Sequence, residues 1–447
     1  MCPSDLQQID GFWPEGVNPT PTFIAVLNYV RRSQGNLFIT GRAGTGKSTL
    51  LRAIVKSLDG EVAISAPTGI AALNVGGETI HSLFRLPRGL LLDRDEFQAS
   101  PRSIFEVPDT TLIIDEVSMV RADTLNAIDV SLREQREIDA PFCGVRVIAF
   151  GDTHQLPPVL RGLDEQRLGQ AFGGAYFFHA PAARSMAMLE LTEVFRQKDE
   201  RFVALLNEIR DGAASNDALA YLNSRVGPAP RDDASRWVWV CATNDAANAV
   251  NHSFLGRIPG DARTYNATVQ GEFERDARNA GRGDDATRLP ADLALTLKVG
   301  ARVIFIRNDR YRRWVNGTTG VVTNLADQEL EVTIASDETI TVAPDTWTKT
   351  RRVKAGKEIR NEEVGSMSQF PLRLGWAITI HKSQGMTLDR LFLNTPRPLF
   401  APGQTYVALS RARTFDGLLL LRPLTPRDIF LSQEATGYRT RLKRLKL

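Results

Sequence analysis

A chain of 447 residues is long enough for roughly two or three domains. With 43% hydrophobic and 24% charged residues it reads as globular and soluble, and a net charge of +3 leaves any nucleic-acid surface to local clusters. Three distant cysteines (Cys2, Cys143, Cys241) and five scattered histidines argue against a disulfide framework or a zinc site. No apolar run nears the ~20 residues of a membrane span, and the first residues lack a basic-then-apolar leader, so the expected compartment is the cytoplasm.

Residues 1–20 read as an irregular lead-in rich in Pro, Gly and Asp, and Thr22–Arg32 as a helix. Asn36–Thr40 (NLFIT) suits a buried strand. Gly41-x-x-x-x-Gly46-Lys47-Ser48 follows, and Ser48–Leu58 places Leu50, Leu51, Ile54, Val55 and Leu58 on one helical face. A phosphate-cradling loop needs this strand-to-helix setting. Its glycines let backbone N–H groups converge on phosphate oxygens, and the helix N-terminus adds a positive pole. Gly41, Ala43, Gly44, Thr45, Gly46, Lys47, Ser48 and Thr49 are therefore candidate nucleotide contacts. Lys47 would reach the β- and γ-phosphates and Ser48 would bind Mg²⁺.

Glu61–Ser65 is a second strand. It runs into residues 66–84 (APTGIAALNVGGETIHSLF), whose Gly, Thr, Ser and His content suits a contact surface better than a mere connector. Residues 85–105 lack periodicity and read as a small insertion. Thr111–Glu116 (TLIIDE) ends an apolar strand in two carboxylates, at the strand tip where open α/β sheets bind ligands. Asp115 would hold Mg²⁺ and Glu116 would polarise the attacking water. Val145–Phe150 is another strand, and in the following GDTHQLPPV Gln155 could sense the γ-phosphate. Strands alternating with helices make this region a parallel α/β core.

A second core is expected from about residue 186, with Trp237–Cys241 a buried strand. From Gly300 to about Val364, short alternating runs and an Asn316-Gly317 turn signal suggest a small inserted β-barrel. Its arginines and lysines serve either a ligand or a solvated face. The α/β pattern resumes with GWAITIHKSQGMTLD (375–389) and ends with TYVALSRART (405–414) and a strand over Gly417–Arg422. The basic C-terminal stretch GYRTRLKRLKL either lies along phosphates or forms a soluble helix.

The segments APTGIAALNVGGETIHSLF, DEVSMV, GDTHQLPPV, LTEVFRQ, GWAITIHKSQGMTLD and YVALSRA, in this order, resemble the superfamily 1 helicases. The resemblance is greatest to the Pif family (petite integration frequency helicases) and its RecD-like relatives, and Leu125–Val145 resembles the family's signature segment. Together the matches run from about residue 36 to 422. The resemblance implies an α/β fold of two RecA-like P-loop NTPase cores with parallel sheets. The first would span 1–185 with a wedge insertion at 85–105. The second would span 186–300 and 365–430, interrupted by a Src-homology-three-like β-barrel at 301–364, with a basic tail at 431–447.

The same resemblance implies ATP and Mg²⁺ as cofactors. It gives Lys47, Glu116, Gln155, Arg196 and Arg411 catalytic roles, the two arginines reaching the γ-phosphate, and places Gly385 at the nucleotide. Thr68, Asn74, Thr79, His81, Ser82, His381, Lys382, Ser383 and Gln384 would contact DNA. Implied partners are single-stranded DNA, single/double-strand junctions and G-quadruplex DNA, with 5′→3′ movement, a working monomer, no membrane and no metal beyond Mg²⁺. Two features depart from the family. No adenine-reading glutamine is clear, since Gln7 and Gln8 lie too far upstream, and Cys143 stands where glycine is more usual. A P-loop phosphotransferase, a non-unwinding translocase and a non-hydrolysing scaffold are the rival readings. Stimulation of ATP hydrolysis by single-stranded DNA separates the phosphotransferase from the motor.

Overall fold

The structure is a computed structural model. It describes residues 10–14, 17–68, 71–72, 75–87, 89–92, 103–107, 109–136, 138–160, 162–193, 195, 199–230, 237–279, 289–307, 309–311, 313–314, 317–334, 337–355, 358–441 and 445. The chain forms two compact units, Met1–Ala242 with Ile380–Leu447, and Thr243–Thr379.

The first unit holds a six-stranded parallel sheet of β1 (Leu37–Gly41), β2 (Val62–Ala66), β3 (Glu78–Thr79), β4 (Thr111–Ile114), β5 (Arg146–Gly151) and β6 (Ala187–Leu191). The order is β3-β2-β4-β5-β1-β6. Among the helices of this unit are α1 (Pro21–Arg32), α2 (Lys47–Ser57), α3 (Ile80–Leu83), α4 (Ala122–Arg136), α5 (Glu200–Arg210), α6 (Ile380–Ser383), α7 (Gln404–Leu409) and α8 (Gln433–Arg441). Every residue of β1, β4 and β5 is buried, as parallel strands covered on both faces require. The pleat sorts their side chains. Leu37, Ile39, Ile113 and Ile148 share one core with Leu27 of α1 and Leu50, Leu51 and Ile54 of α2. Phe38, Leu112, Ile114 and Val147 pack on the other face with Leu125, Ile128 and Leu132 of α4. Each such side chain contributes roughly 1.5–3 kcal/mol on burial. Helix α1 starts one residue before the expected Thr22, with Pro21 in its first turn and the Thr20 hydroxyl accepting from the Phe23 N–H at 3.3 Å.

One expectation is corrected here. The strand after residue 186 does not open a second core. It is β6, and it pairs with β1 from Leu37↔Ala187 to Gly41↔Leu191. The reason is its apolar alternation, which puts Leu189 and Leu191 in the α1/α2 core and Met188 in the α4 core.

The same unit carries a second parallel set, β7 (Val238–Cys241), β8 (Leu391–Asn394) and β9 (Leu418–Leu420), with β8 between the other two. Two parallel sheets in an α/β arrangement give the RecA-like class expected from the motifs.

The second unit opens with a helix over Asn244–Arg257, capped by the Thr243 hydroxyl on the Ala246 N–H. Asn251 of that helix holds Ala377, accepting from its N–H at 2.8 Å and donating to its carbonyl at 3.1 Å. A five-stranded antiparallel sheet runs Thr339–Val342, Leu330–Ile334, Thr319–Leu325, Arg302–Phe305, Leu372–Leu374 in spatial order. The barrel expected over 301–364 is therefore drawn differently among the described residues. Leu372–Leu374 belongs to the sheet, whereas the long hairpin of Asp345–Ala355 and Glu358–Gln369 pairs with Thr268–Gly271 in a separate sheet. The Asn316-Gly317 turn lies partly outside the described residues.

Candidate nucleotide site

The loop after β1 is shaped by its glycines. Gly46 caps α2 at φ 75° and brings no side chain to compete for the first-turn N–H groups. A Cβ there would sit 2.7 Å from Phe23 Cζ. Lys47 Nζ donates to the carbonyls of Gly41 (2.7 Å) and Arg42 (3.0 Å), so the ammonium folds over its own loop. Burial lowers its pKa, while Asp152, Glu116 and Asp115 hold the charge in place. The Phe195 N–H reaches back to the Gly44 carbonyl at 2.8 Å, tying the segment after β6 to the loop.

β4 stops at Ile114, and the two expected carboxylates follow it. The Asp115 N–H donates to Ser65 O at 2.8 Å, and Asp115 Oδ1 accepts from the Glu116 N–H at 2.9 Å. Glu116 adopts φ 49°, a left-handed conformation that costs on the order of 1–3 kcal/mol in a non-glycine residue. Such strain is commonly stored where a side chain must be aimed. Burial, and then the neighbouring Glu116 charge, push the Asp115 carboxyl up to about 7.

The segments beyond β6 complete the cluster. Gln384, buried behind α6, donates through Nε2 to Glu116 Oε2 at 2.9 Å and to Gln155 Oε1 at 3.2 Å. The Tyr406 hydroxyl on α7 accepts from the Ala43 N–H at 2.6 Å. Burial, and then Asp152, raise the Tyr406 pKa, so the hydroxyl stays protonated. Gly403 at the start of α7 has φ 73°, and a Cβ there would meet the carbonyl oxygens of His154 and Gln155 at 2.6 Å each. Only glycine lets the two backbones approach so closely. Beneath this contact, Arg210 of α5 grips Asp152 through Nη2 (2.8 Å) and Nε (3.1 Å), both side chains fully buried. Burial would raise the Asp152 pKa, but the Arg210 guanidinium more than offsets it and leaves the carboxyl well below the usual range.

Lys47, Asp115, Glu116, Gln155 and Gln384 are thus brought together, with Gly41, Ala43, Gly44, Thr45, Ser48 and Thr49 in or beside the same loop. Arg411 is buried on its own turn: Nε donates to Val407 O (3.0 Å), Nη2 to Ser410 Oγ (2.9 Å) and Nη1 to Met386 O (3.4 Å). Gly385, next to Gln384, has φ 81°. Arg196 and Asn74 lie outside the described residues, as does most of the 85–105 insertion.

The expected DNA contacts divide. Thr79 caps α3, its hydroxyl accepting from the Ser82 N–H at 3.2 Å, and the exposed Ser82 donates to Glu78 at 3.1 Å. The Thr68 hydroxyl accepts from the Ala71 N–H at 3.3 Å. His81 is half-buried, Lys382 is exposed, and burial lowers the His381 pKa. Ser383 and Gln384 depart from expectation. Ser383 is fully buried with its hydroxyl on Ile380 O at 2.8 Å, and Gln384 faces the nucleotide cluster. Sequence reasoning missed Tyr406, Asp152 and Gly403 as site residues, although the first two sit inside segments it singled out. No local signal marks Arg210.

These residues fit a nucleoside triphosphate with Mg²⁺. Two adjacent acids, one of them buried and driven towards protonation, form a donor set short of positive charge, and the side-chain-free cap of α2 suits phosphate. A P-loop, a strand-end acid pair and two RecA-like parallel sheets define a P-loop nucleotide-binding protein of the two-core kind.

The sequence profile of PIF1-like helicases matches residues 20–218. The chain is 35% identical over 408 residues to the ATP-dependent DNA helicase PIF1 of Mus musculus, an alignment covering 89% of this chain and 59% of that protein. It is 33% identical over 415 residues to the ATP-dependent DNA helicase Pif1 of Bdellovibrio bacteriovorus, covering 91% of this chain and 88% of that one. The solved structure of Pif1 helicase from Bacteroides in complex with ADP-AlF3 and ssDNA superposes with a TM-score of 0.84 at 35% identity, covering 95% and 97% of the two chains. The chain belongs to the PIF1-like helicase family. It spans 59% and 60% of the lengths of the mouse and rat relatives. No helix among the described residues is long and apolar enough to cross a membrane.

Proposed function

We propose that this chain is an ATP-dependent DNA helicase that moves along single-stranded DNA, 5′→3′, and separates duplexes at single/double-strand junctions. The observation that carries this reading is the meeting of Lys47, Asp115, Glu116, Gln155 and Gln384, which joins a P-loop to a segment from beyond the first sheet. Relatives carrying the same family name are ATP-dependent DNA helicases, and one is solved with single-stranded DNA.

In this reading Lys47 binds the β- and γ-phosphates, and Ser48 and Asp115 hold Mg²⁺. When bound, the metal neutralises charge on the β- and γ-oxygens. Glu116 polarises the attacking water, and Gln155 orients it. Tyr406 positions the loop through Ala43. Arg411 and Arg196 supply guanidinium charge to the γ-phosphate, a contribution of about 10³–10⁵ in rate in other phosphoryl-transfer enzymes. For Arg411 this requires turning Nη1 and Nη2 away from Met386 O and Ser410 Oγ. Thr79, His81, Ser82, His381 and Lys382, with Thr68 and Asn74, form the phosphate track. Their hydroxyl, amide, imidazole and ammonium donors suit a backbone read without base preference.

The test is ATP hydrolysis measured with and without oligo-dT. Strong stimulation by the oligonucleotide is expected. A rate indifferent to DNA would favour a small-substrate phosphotransferase.

A further inference from the structure

We propose that Tyr406 is a positioning residue for Lys47: its hydroxyl grips one end of the peptide unit whose other end holds the Lys47 ammonium. The proposal rests on the reading of the loop after β1 as the ATP site.

Arg42 and Ala43 share one peptide unit, and both of its polar ends are engaged. The Arg42 carbonyl accepts from Lys47 Nζ at 3.0 Å, from the Thr45 hydroxyl at 2.9 Å and from the Thr45 N–H at 3.3 Å. The Ala43 N–H donates to the Tyr406 hydroxyl at 2.6 Å. In a planar trans peptide the N–H and C=O point to opposite sides. The unit is therefore pinned between Tyr406 on one side and Lys47 with Thr45 on the other, and it cannot turn without breaking both sets of bonds. Donation by the N–H also makes the carbonyl of the same unit a stronger acceptor.

The ammonium needs such a fixed point. Lysine carries its charge on a flexible four-carbon stem with three rotatable donors. The carbonyls of Gly41 and Arg42 take two of them, at 2.7 and 3.0 Å, which leaves the third for a ligand. Tyr406 is well placed to steady this arrangement. It is 2% exposed, and the charge of Asp152, itself gripped by Arg210, acts on both Lys47 and Tyr406. Arg411 follows α7 and is tied to it through Nε to Val407 O at 3.0 Å. One seating of α7 against the loop thus sets Arg411 and, through Tyr406, Lys47. A helix 363 residues from the loop in sequence takes part in holding the cation of the phosphate site.

The experiment is a double-mutant cycle on the full chain, read by binding of a fluorescent non-hydrolysable ATP analogue with Mg²⁺. Tyr406→Phe keeps the ring and loses the acceptor. It should weaken analogue binding about two- to tenfold, the range one neutral hydrogen bond carries. It should also lower DNA-stimulated kcat, with oligo-dT affinity and thermal midpoint near wild type. Lys47→Ala should weaken analogue binding by itself, and adding Tyr406→Phe should weaken it no further, because no ammonium is left to position. A loss from Tyr406→Phe of equal size with and without Lys47 would overturn the proposal, since the hydroxyl would then act by another route. Unchanged analogue binding in Tyr406→Phe would overturn it equally. Failure of the wild type to bind the analogue would instead overturn the ATP-site reading beneath it.

Discussion

Lys47 and Glu116 interact within one cluster but should fail differently. In the proposed reading Lys47→Ala removes the cation that would face the β/γ charge, so ATP hydrolysis should vanish while single-stranded DNA binding survives. Glu116→Gln keeps shape and hydrogen bonding but cannot polarise water as a carboxylate does, so ATP binding should persist with turnover lost. Nucleotide-binding and turnover assays on the pair check this, and a Glu116→Gln variant unable to bind ATP would assign the residue to metal holding. Asp115 gives a pH prediction. Its carboxyl, near 7 in the folded chain, lies above the unfolded value of about 3.9, so the native protein holds a proton that the unfolded one releases. The associated stability is present below about pH 4 and is lost as pH rises through 7. Asp115→Asn should therefore raise the thermal midpoint at pH 8 clearly more than at pH 4. An equal gain at both pH values would show that the carboxylate carries no such cost. Cys143, the residue standing where glycine is more usual, has φ 52° and is fully buried, which explains why a glycine suits that position.

At the scale of elements, the loop after β5 is held from two sides. Arg210 of α5 clamps Asp152, and Gly403 at the start of α7 lies against the carbonyls of His154 and Gln155. Arg210→Ala would leave a buried carboxylate unpaired, which costs about 3–5 kcal/mol in comparable buried pairs. Urea unfolding should show a loss of that order. A loss under about 1 kcal/mol, typical of exposed pairs, would mean that solvent reaches Asp152. This clamp was not legible in the sequence. Arg210 lies 58 residues from its partner, and nothing local distinguishes it from the other arginines of an amphipathic helix. The elements themselves were legible where both faces of a strand are covered. β1, β4 and β5 read as mostly apolar runs because they are buried throughout. The second core was expected to start too early, near residue 186, because an apolar segment such as β6 carries no mark of which neighbour it pairs with.

For the whole molecule, the contrast is between local and distant chemistry. The P-loop and the Asp115-Glu116 pair each act through consecutive residues, so spacing and flanking pattern revealed them. The contacts Tyr406–Ala43, 363 residues apart, and Gln384–Glu116, 268 apart, exist only once the chain has folded. A barrel was expected over 301–364 because alternation announces strands but not their edges, and the pairing of Leu372–Leu374 with Arg302–Phe305 lies beyond the span where alternation was followed. The central claim is that ATP turnover at this site drives directional strand separation. The most direct measurement is ATP-dependent unwinding of duplexes with either a 5′ or a 3′ single-stranded tail, using wild type beside Lys47→Ala. The account predicts unwinding of the 5′-tailed duplex by wild type alone, with ATP and Mg²⁺ required. Unwinding of neither duplex by a folded, ATP-hydrolysing wild type, or equal unwinding by Lys47→Ala, would contradict it.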